Sequence, residues 1–142
     1  MSGGKQGRCF IDTNIWLYAF LETQDNEKST MARSIIREKD ITISTQIINE
    51  VCVNLIKKVR FSEENIQKLV ISFYEKYPVI EITKGILLKA SELRGQNRLS
   101  FWDSVIVASA LYSSIDILYS EDMQDGFLVE NKLRIVNPFQ NT

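Results

Sequence analysis

Four acidic residues stand beside apolar segments spread along the chain. They are Asp12 in Phe10-Ile11-Asp12-Thr13-Asn14, Glu50 in Ile47-Ile48-Asn49-Glu50-Val51, Asp103 in Phe101-Trp102-Asp103-Ser104-Val105 and Asp122 in Tyr119-Ser120-Glu121-Asp122-Met123. A carboxylate next to a core segment loses hydration and needs a positive partner to offset that loss. The chain contains no histidine, so Ser–His and Cys–His nucleophiles are excluded. A hard divalent cation bound through oxygen is the economical partner. Magnesium fits best, because it keeps several waters and uses few carboxylates.

Each acid also has an ordinary reading. Asp12 precedes a helical stretch and could cap it, but Thr13 and Asn14 could do so equally well, which leaves Asp12 free for another role. Glu50 lies opposite the apolar stripe Ile47, Ile48, Val51, Cys52, Leu55, Ile56 and Val59. It shares that polar face with Asn54 and Lys57, as a solvated surface glutamate would. Ser100-Phe101-Trp102-Asp103 has the form of a capping box. Asp122 has Glu121 and Asp125 nearby, and spacing alone does not choose between 121 and 122. What joins the four is topology.

The elements that must position them alternate. Short apolar strands are expected at residues 8–12, 41–44, 79–82, 117–119 and 133–136. Helices are expected at 14–22, 25–39, 45–60, 62–76, 83–97 and 101–114, with a short helix or turn at 122–131. Residues 101–114 are apolar on nearly every face, as in a buried helix. Strands alternating with helices predict an α/β fold on a parallel sheet with helices on both faces. Ligands of such sheets bind beyond the carboxyl ends of the strands, where Asp12 and the 120–122 segment fall.

The bulk properties narrow the field. The 142 residues suit one domain, read as 8–142 after a loose polar lead-in at 1–7. Hydrophobic residues are 44% and charged residues 25%, ordinary for a soluble globular chain. No apolar run reaches the ~20 residues of a membrane helix. Cys9 and Cys52 lie in apolar stretches and read as core residues, which favours a reducing, cytoplasmic location. The net charge of −1 rules out a generic polyanion binder, although a bound cation would make an acidic site attractive to phosphate. Gly-x-x-x-x-Gly-Lys and Gly-x-Gly-x-x-Gly runs are absent, which argues against a nucleotide cradle. The first strand is followed by Asp12-Thr13-Asn14, not the Asp-x-Asp of aspartyl-nucleophile phosphatases.

Taken in order, Phe10-Ile11-Asp12-Thr13-Asn14-Ile15, Ser44-Thr45-Gln46-Ile47-Ile48-Asn49-Glu50, Phe101-Trp102-Asp103-Ser104-Val105-Ile106-Val107-Ala108, Ser120-Glu121-Asp122-Met123 and Ile135-Val136-Asn137-Pro138 form a pattern. The chain thereby resembles the PIN-domain family, in particular the VapC-like ribonuclease toxins of toxin–antitoxin pairs. The resemblance covers nearly the whole chain. It implies a three-layer α/β/α sandwich and an RNA-cleaving site that depends on Mg2+ or Mn2+, made by Asp12, Glu50, Asp103 and Asp122. It implies Asp12, Asp103 and Asp122 as metal ligands, with Asp122 chosen over Glu121, and Glu50 as the residue that orients or deprotonates the attacking water. Thr13, Asn14 and Ser120 match positions that hydrogen-bond the acids or the substrate; Ser120 keeps the hydroxyl of the threonine common in relatives. The expected partners are an RNA substrate, a protein antitoxin and a second copy in a homodimer. RNA must approach an acidic centre, so basic flanks are expected to touch phosphate: Lys57, Lys58 and Arg60 after Glu50, and Arg94 and Arg98 before Asp103. The alternatives are an inert scaffold of the same shape and a DNA-cleaving nuclease of the same superfamily.

Overall fold

The computed structural model describes residues 7–21 and 26–140. Apart from residue 7, the expected lead-in falls outside them, as do residue 22 at the end of the first expected helix and residue 25 at the start of the second.

The first strand, β1 (Cys9–Ile11), is buried at every position. Its three apolar residues leave no polar face, as expected of a strand covered on both sides. The chain continues through α1 (Thr13–Phe20), α2 (Asn26–Glu38), β2 (Ile43–Ser44), α3 (Thr45–Val59), α4 (Glu63–Lys76), β3 (Val79–Ile80), α5 (Lys84–Gln96), α6 (Phe101–Tyr112), β4 (Ile117–Tyr119), β5 (Leu128–Val129) and β6 (Leu133–Val136). The strand order of the main sheet is β1-β4-β6-β5. Phe10 lies opposite Leu118 in a parallel β1–β4 pair, and Leu118 lies opposite Ile135 in a parallel β4–β6 pair. The parallel pair β2–β3 flanks this sheet, and a parallel bridge from Ile41 to Cys9 ties it to β1. Helices cover the sheet as the outer layers of an α/β/α sandwich.

The helix starts follow local chemistry. Ser44, Ser62, Thr83 and Ser100 each accept the backbone N–H three residues on, capping α3, α4, α5 and α6. Side-chain oxygens satisfy donors that a helix start leaves orphaned. Arg60 takes a left-handed conformation (φ 56°) and ends α3. In α6, Ser104 to Ala110 is buried without a break, in keeping with its lack of a polar face.

Two expectations differ from what is observed. The strand expected at 79–82 is ordered as β only at Val79–Ile80, because β2 offers only Ile43 and Ser44 as partners. The helix or turn expected at 122–131 is a run of turns that ends in a strand, β5, antiparallel to β6. Glu130 and Asn131 both have positive φ, 52° and 57°, and the Lys132 N–H donates to the Val129 carbonyl at 2.9 Å. Two consecutive left-handed residues make a tight hairpin turn, here without the Asn-Gly pair that would announce it.

The junction between β1 and α1 bears directly on the site. Trp16 is fully buried, and its indole N–H donates to the Ile11 carbonyl at 3.0 Å. The ring meets Phe73 and Tyr77 of the α4 end edge-on, at 5.2 and 5.6 Å between centroids. The corner that presents Asp12 is therefore pinned from below. Trp16→Phe removes the donor and leaves the carbonyl buried and unpaired, at a cost of about 2–4 kcal/mol including the lost ring volume. A clear drop in the urea midpoint is expected; an unchanged midpoint would show that the bond anchors nothing.

Candidate active site

Asp12 directly follows β1 and Asp122 lies three residues beyond the end of β4, so parallel pairing of these strands brings the two acids to one edge of the sheet. Asp103 sits in the first turn of α6 and Glu50 in the second turn of α3. All four line one cavity of about 230 Å³, together with Thr13, Asn14, Asn54 and Ile106.

A web of neutral donors holds the carboxylates. Asp12 caps α1: its Oδ1 accepts the Thr13 N–H at 2.7 Å. Its Oδ2 accepts the buried Ser120 hydroxyl at 2.9 Å, which links β1 to the segment after β4. Asp12 is therefore itself the cap, a role that Thr13 and Asn14 could equally have taken. Those two residues serve the other acids. The Thr13 hydroxyl donates to Glu50 Oε1 at 2.7 Å, and the Asn14 amide donates to Asp122 Oδ2 at 2.8 Å. Glu50 also receives the Gln46 amide at Oε2, at 3.3 Å. It is half-buried and tethered, unlike the freely solvated glutamate of the plain reading. Asp103 occupies the third position of a helix whose cap, Ser100, accepts its N–H at 3.1 Å, so a place in the capped first turn and a place in the cavity coexist.

Glu121 is occupied elsewhere. The Tyr18 hydroxyl donates to it at 2.7 Å, and Lys28 forms an ion pair with it. Lys28 also lies over the Tyr18 and Phe139 rings. Asp122, not Glu121, faces the cavity.

Among the described residues, none of the four acids has a lysine or arginine ion pair. The electrostatics show the consequence. Burial pushes Asp12 up from 3.8 to about 6, with the charges of Asp103 and Glu50 adding to the rise; the Thr13 N–H and Ser120 hydroxyl oppose it. Burial also raises Asp103, helped by Asp122 and Glu50 and opposed by Ser100. Like charges in a partly desolvated pocket favour the protonated form unless a cation enters. The donor set is entirely oxygen, which suits a hard divalent ion. No three acidic or cysteine side chains among the described residues form a ready chelate. An ion held here through one or two carboxylates and its own waters is the arrangement that fits.

Of the basic residues, Lys57, Lys58, Arg60 and Arg98 are exposed. Lys57 and Lys58 continue the α3 face that carries Glu50 and Asn54. Arg98 lines a second cavity of about 460 Å³ that also reaches Asp103 and Asp122. Arg94 is half-buried; it donates to the Ser104 hydroxyl at 2.6 Å and lies 4.2 Å from the Phe101 ring centroid. Two residues escape sequence reasoning as members of the site: Gln46, which orients Glu50, and Asn54, which lines the cavity. The i, i+4, i+8 spacing of Gln46, Glu50 and Asn54 is the available signal.

The model of the PIN domain family matches residues 9–125. No curated protein matches the chain. Among solved structures, a toxin–antitoxin complex from Klebsiella pneumoniae is similar at 20% identity and a TM-score of 0.70, covering 92% of this chain and 98% of the other. The FitAcB structure from Neisseria gonorrhoeae has 16% identity, a TM-score of 0.70 and coverage of 93% and 99%. VapC20 from Mycobacterium tuberculosis, described as a sarcin-ricin loop cleaving toxin, has 16% identity, a TM-score of 0.64 and coverage of 80% and 89%.

The position of Asp12 predicts a pH signature in metal-free protein. A carboxyl with a raised folded pKa contributes stability below about pH 4 and loses it as pH rises through about 6. A rise from 3.8 to about 6 is equivalent to at most about 3 kcal/mol. In EDTA, Asp12→Asn should therefore gain on the wild type by up to that amount between pH 4 and pH 7. Urea denaturation at the two pH values measures this; a constant difference would show that Asp12 titrates normally.

Proposed function

The chain belongs to the PIN-domain family, and from that membership and the geometry of its acidic cavity we propose that it is a metal-dependent endoribonuclease, the toxin of a toxin–antitoxin pair. The observation that carries the reading is the meeting of four carboxylates, from four separate elements, in one cavity without an ion-pair partner among the described residues. The description of VapC20 as a sarcin-ricin loop cleaving toxin supports RNA as the substrate class. The Klebsiella complex supports a protein antitoxin as partner. On this reading residues 8–142 make one nuclease domain, acting in the cytoplasm as a homodimer. Among the described residues no helix is long and apolar enough to cross a membrane.

Asp12 and Asp103 would hold Mg2+, or Mn2+ in its place, with Asp122 binding directly or through water. When bound, such an ion polarises the scissile phosphodiester and makes a nearby water more acidic. The protein's own groups do the rest. Thr13 and Gln46 fix the Glu50 carboxylate from either oxygen, so that it orients the attacking water and accepts its proton. The water oxygen bonds to phosphorus, the P–O3′ bond breaks, and the departing 3′ oxygen takes a proton. A 5′-phosphate and a 3′-hydroxyl result, without a protein nucleophile. Ser120 and Asn14 keep Asp12 and Asp122 in place. Lys57, Lys58 and Arg98 are assigned to substrate phosphates; the charge of Arg94 is already directed onto Ser104 and Phe101.

Asp12→Asn and Asp103→Asn each remove one charge at nearly constant volume. Cleavage of a fluorescent RNA hairpin in Mg2+ should fall at least about a hundredfold for each, with the fold retained. Full activity of either purified variant rules this site out. A DNA hairpin of the same sequence, cut equally well, would move the assignment to a DNA nuclease. If the wild type cuts neither hairpin in Mg2+ or Mn2+, the scaffold reading replaces it. Replacing Lys57 and Lys58 with alanine should weaken RNA binding and flatten its log–log salt slope by about 1–2; an unaltered slope rejects their phosphate role.

A further inference from the structure

Beside the acidic cavity runs a third, larger depression of about 730 Å³, bounded by α3, α4 and the start of α6. Glu50 lines both, so the two border the same carboxylate. The larger one is mostly apolar, with Ile48, Val70, Tyr74 and Trp102 among its walls. Two features of it are not needed to hold the acids.

The first is an orphaned acceptor. Gln46 is 93% buried (7% exposed). Its amide nitrogen donates to Glu50 Oε2 and to the Trp102 carbonyl, both at 3.3 Å. Both partners are acceptors, so turning the amide over would set oxygen against oxygen. The orientation is thus determined, and Gln46 Oε1 is left buried with no partner. A buried acceptor without a donor is costly and marks a place where a ligand can supply one.

The second is an exposed aromatic platform. Trp102 is 62% exposed and adjoins Asp103 in sequence. Phe101 meets its ring edge-on at 5.7 Å, and Arg94 lies 4.2 Å from the Phe101 ring centroid. An exposed indole at the mouth of a site offers a flat face for stacking.

We propose that this groove is a nucleobase subsite, in which Trp102 stacks on one base of single-stranded RNA and Gln46 Oε1 accepts an N–H from the edge of that base. The proposal rests on the nuclease reading above. A planar body that carries an N–H donor on its edge answers both unmet features at once, and a nucleobase is that body. The shared wall at Glu50 places it next to the nucleotide being cut. Stacking on aromatic rings and reading of unstacked base edges is how single-stranded RNA is recognised. Gln46 thereby has two duties, orienting Glu50 with its nitrogen and receiving the base with its oxygen.

The chain has only two tryptophans, and Trp16 is 1% exposed, so quenching of indole fluorescence by added RNA reports on Trp102. Short single-stranded oligoribonucleotides are titrated into the Asp12→Asn protein, with fluorescence anisotropy of a labelled oligonucleotide read in parallel. Saturable quenching is expected. Trp102→Ala should weaken binding by about five- to a hundredfold, and Trp102→Phe should recover most of it. Gln46→Met, which keeps length but removes the acceptor, should flatten the difference in affinity among the four homopolymeric oligonucleotides. Unchanged affinity in Trp102→Ala overturns the subsite. So does a Trp102 signal that answers only to a protein partner and never to RNA. Cleavage is read separately on proteins that keep Asp12: RNA cut equally well by wild type and Trp102→Ala, with Trp102 silent, rejects the subsite and leaves the nuclease, whereas RNA bound through Trp102 but never cut does the reverse. RNA neither bound nor cut rejects both.

Discussion

Burial of clustered carboxylates, with their mutual repulsion added to the loss of hydration, is the constraint around which this molecule is organised. A protein selected for stability alone would place a lysine or arginine among Asp12, Glu50, Asp103 and Asp122, or dispense with some of them. Here each of the three best-tethered acids is held by a neutral donor instead: Ser120 on Asp12, Thr13 on Glu50 and Asn14 on Asp122. Neutral donors orient a charge without cancelling it. The negative potential of the cavity survives, and the folded state carries the strain, seen most plainly in the upward shift of Asp12. Activity-bearing sites that are costly in stability are a common bargain.

The scaffold counters that strain with rigidity. The adjacency of β1 and β4 makes one edge of the sheet the meeting point of acids 110 positions apart in sequence (12 and 122). Beneath it, Trp16 clamps the β1–α1 corner, and buried α6 delivers Asp103 from a helix with no polar face to turn toward water. Thr13 is economical: its backbone N–H serves Asp12 while its hydroxyl serves Glu50, so a single residue at the start of α1 sets the relation of β1 to α3.

Much of this is legible in the sequence because the signals are local. Three apolar residues in a row read as a strand, Ser100-Phe101-Trp102-Asp103 announces the start of a helix, and the blocks around Asp12, Glu50, Asp103 and Asp122 appear in a recognisable order. What escapes depends on contacts across the chain. Nothing near Glu121 reveals that Tyr18 and Lys28 will claim it and leave Asp122 to the cavity. Gln46 looks like one more polar residue opening a helix; its partner is the Trp102 carbonyl, on another element. The β5–β6 hairpin escapes because its left-handed positions hold Glu130 and Asn131, where glycine would flag the turn. Asp12 shows a different limit of reading along the chain. Capping and participation in the site look like rival roles along the chain, yet a carboxylate has two oxygens and performs both.

The bond between Ser120 and Asp12 spans 108 residues. During synthesis on the ribosome, α1, α2 and α3 can form long before β4 emerges, yet Asp12 then has no Ser120 to hold it and Asp122 does not exist. The acidic cavity is thus among the last features a nascent chain acquires. A polypeptide stalled or truncated before residue 117 would carry most of its helices and none of its completed centre, so the fold itself postpones competence until translation has passed that point.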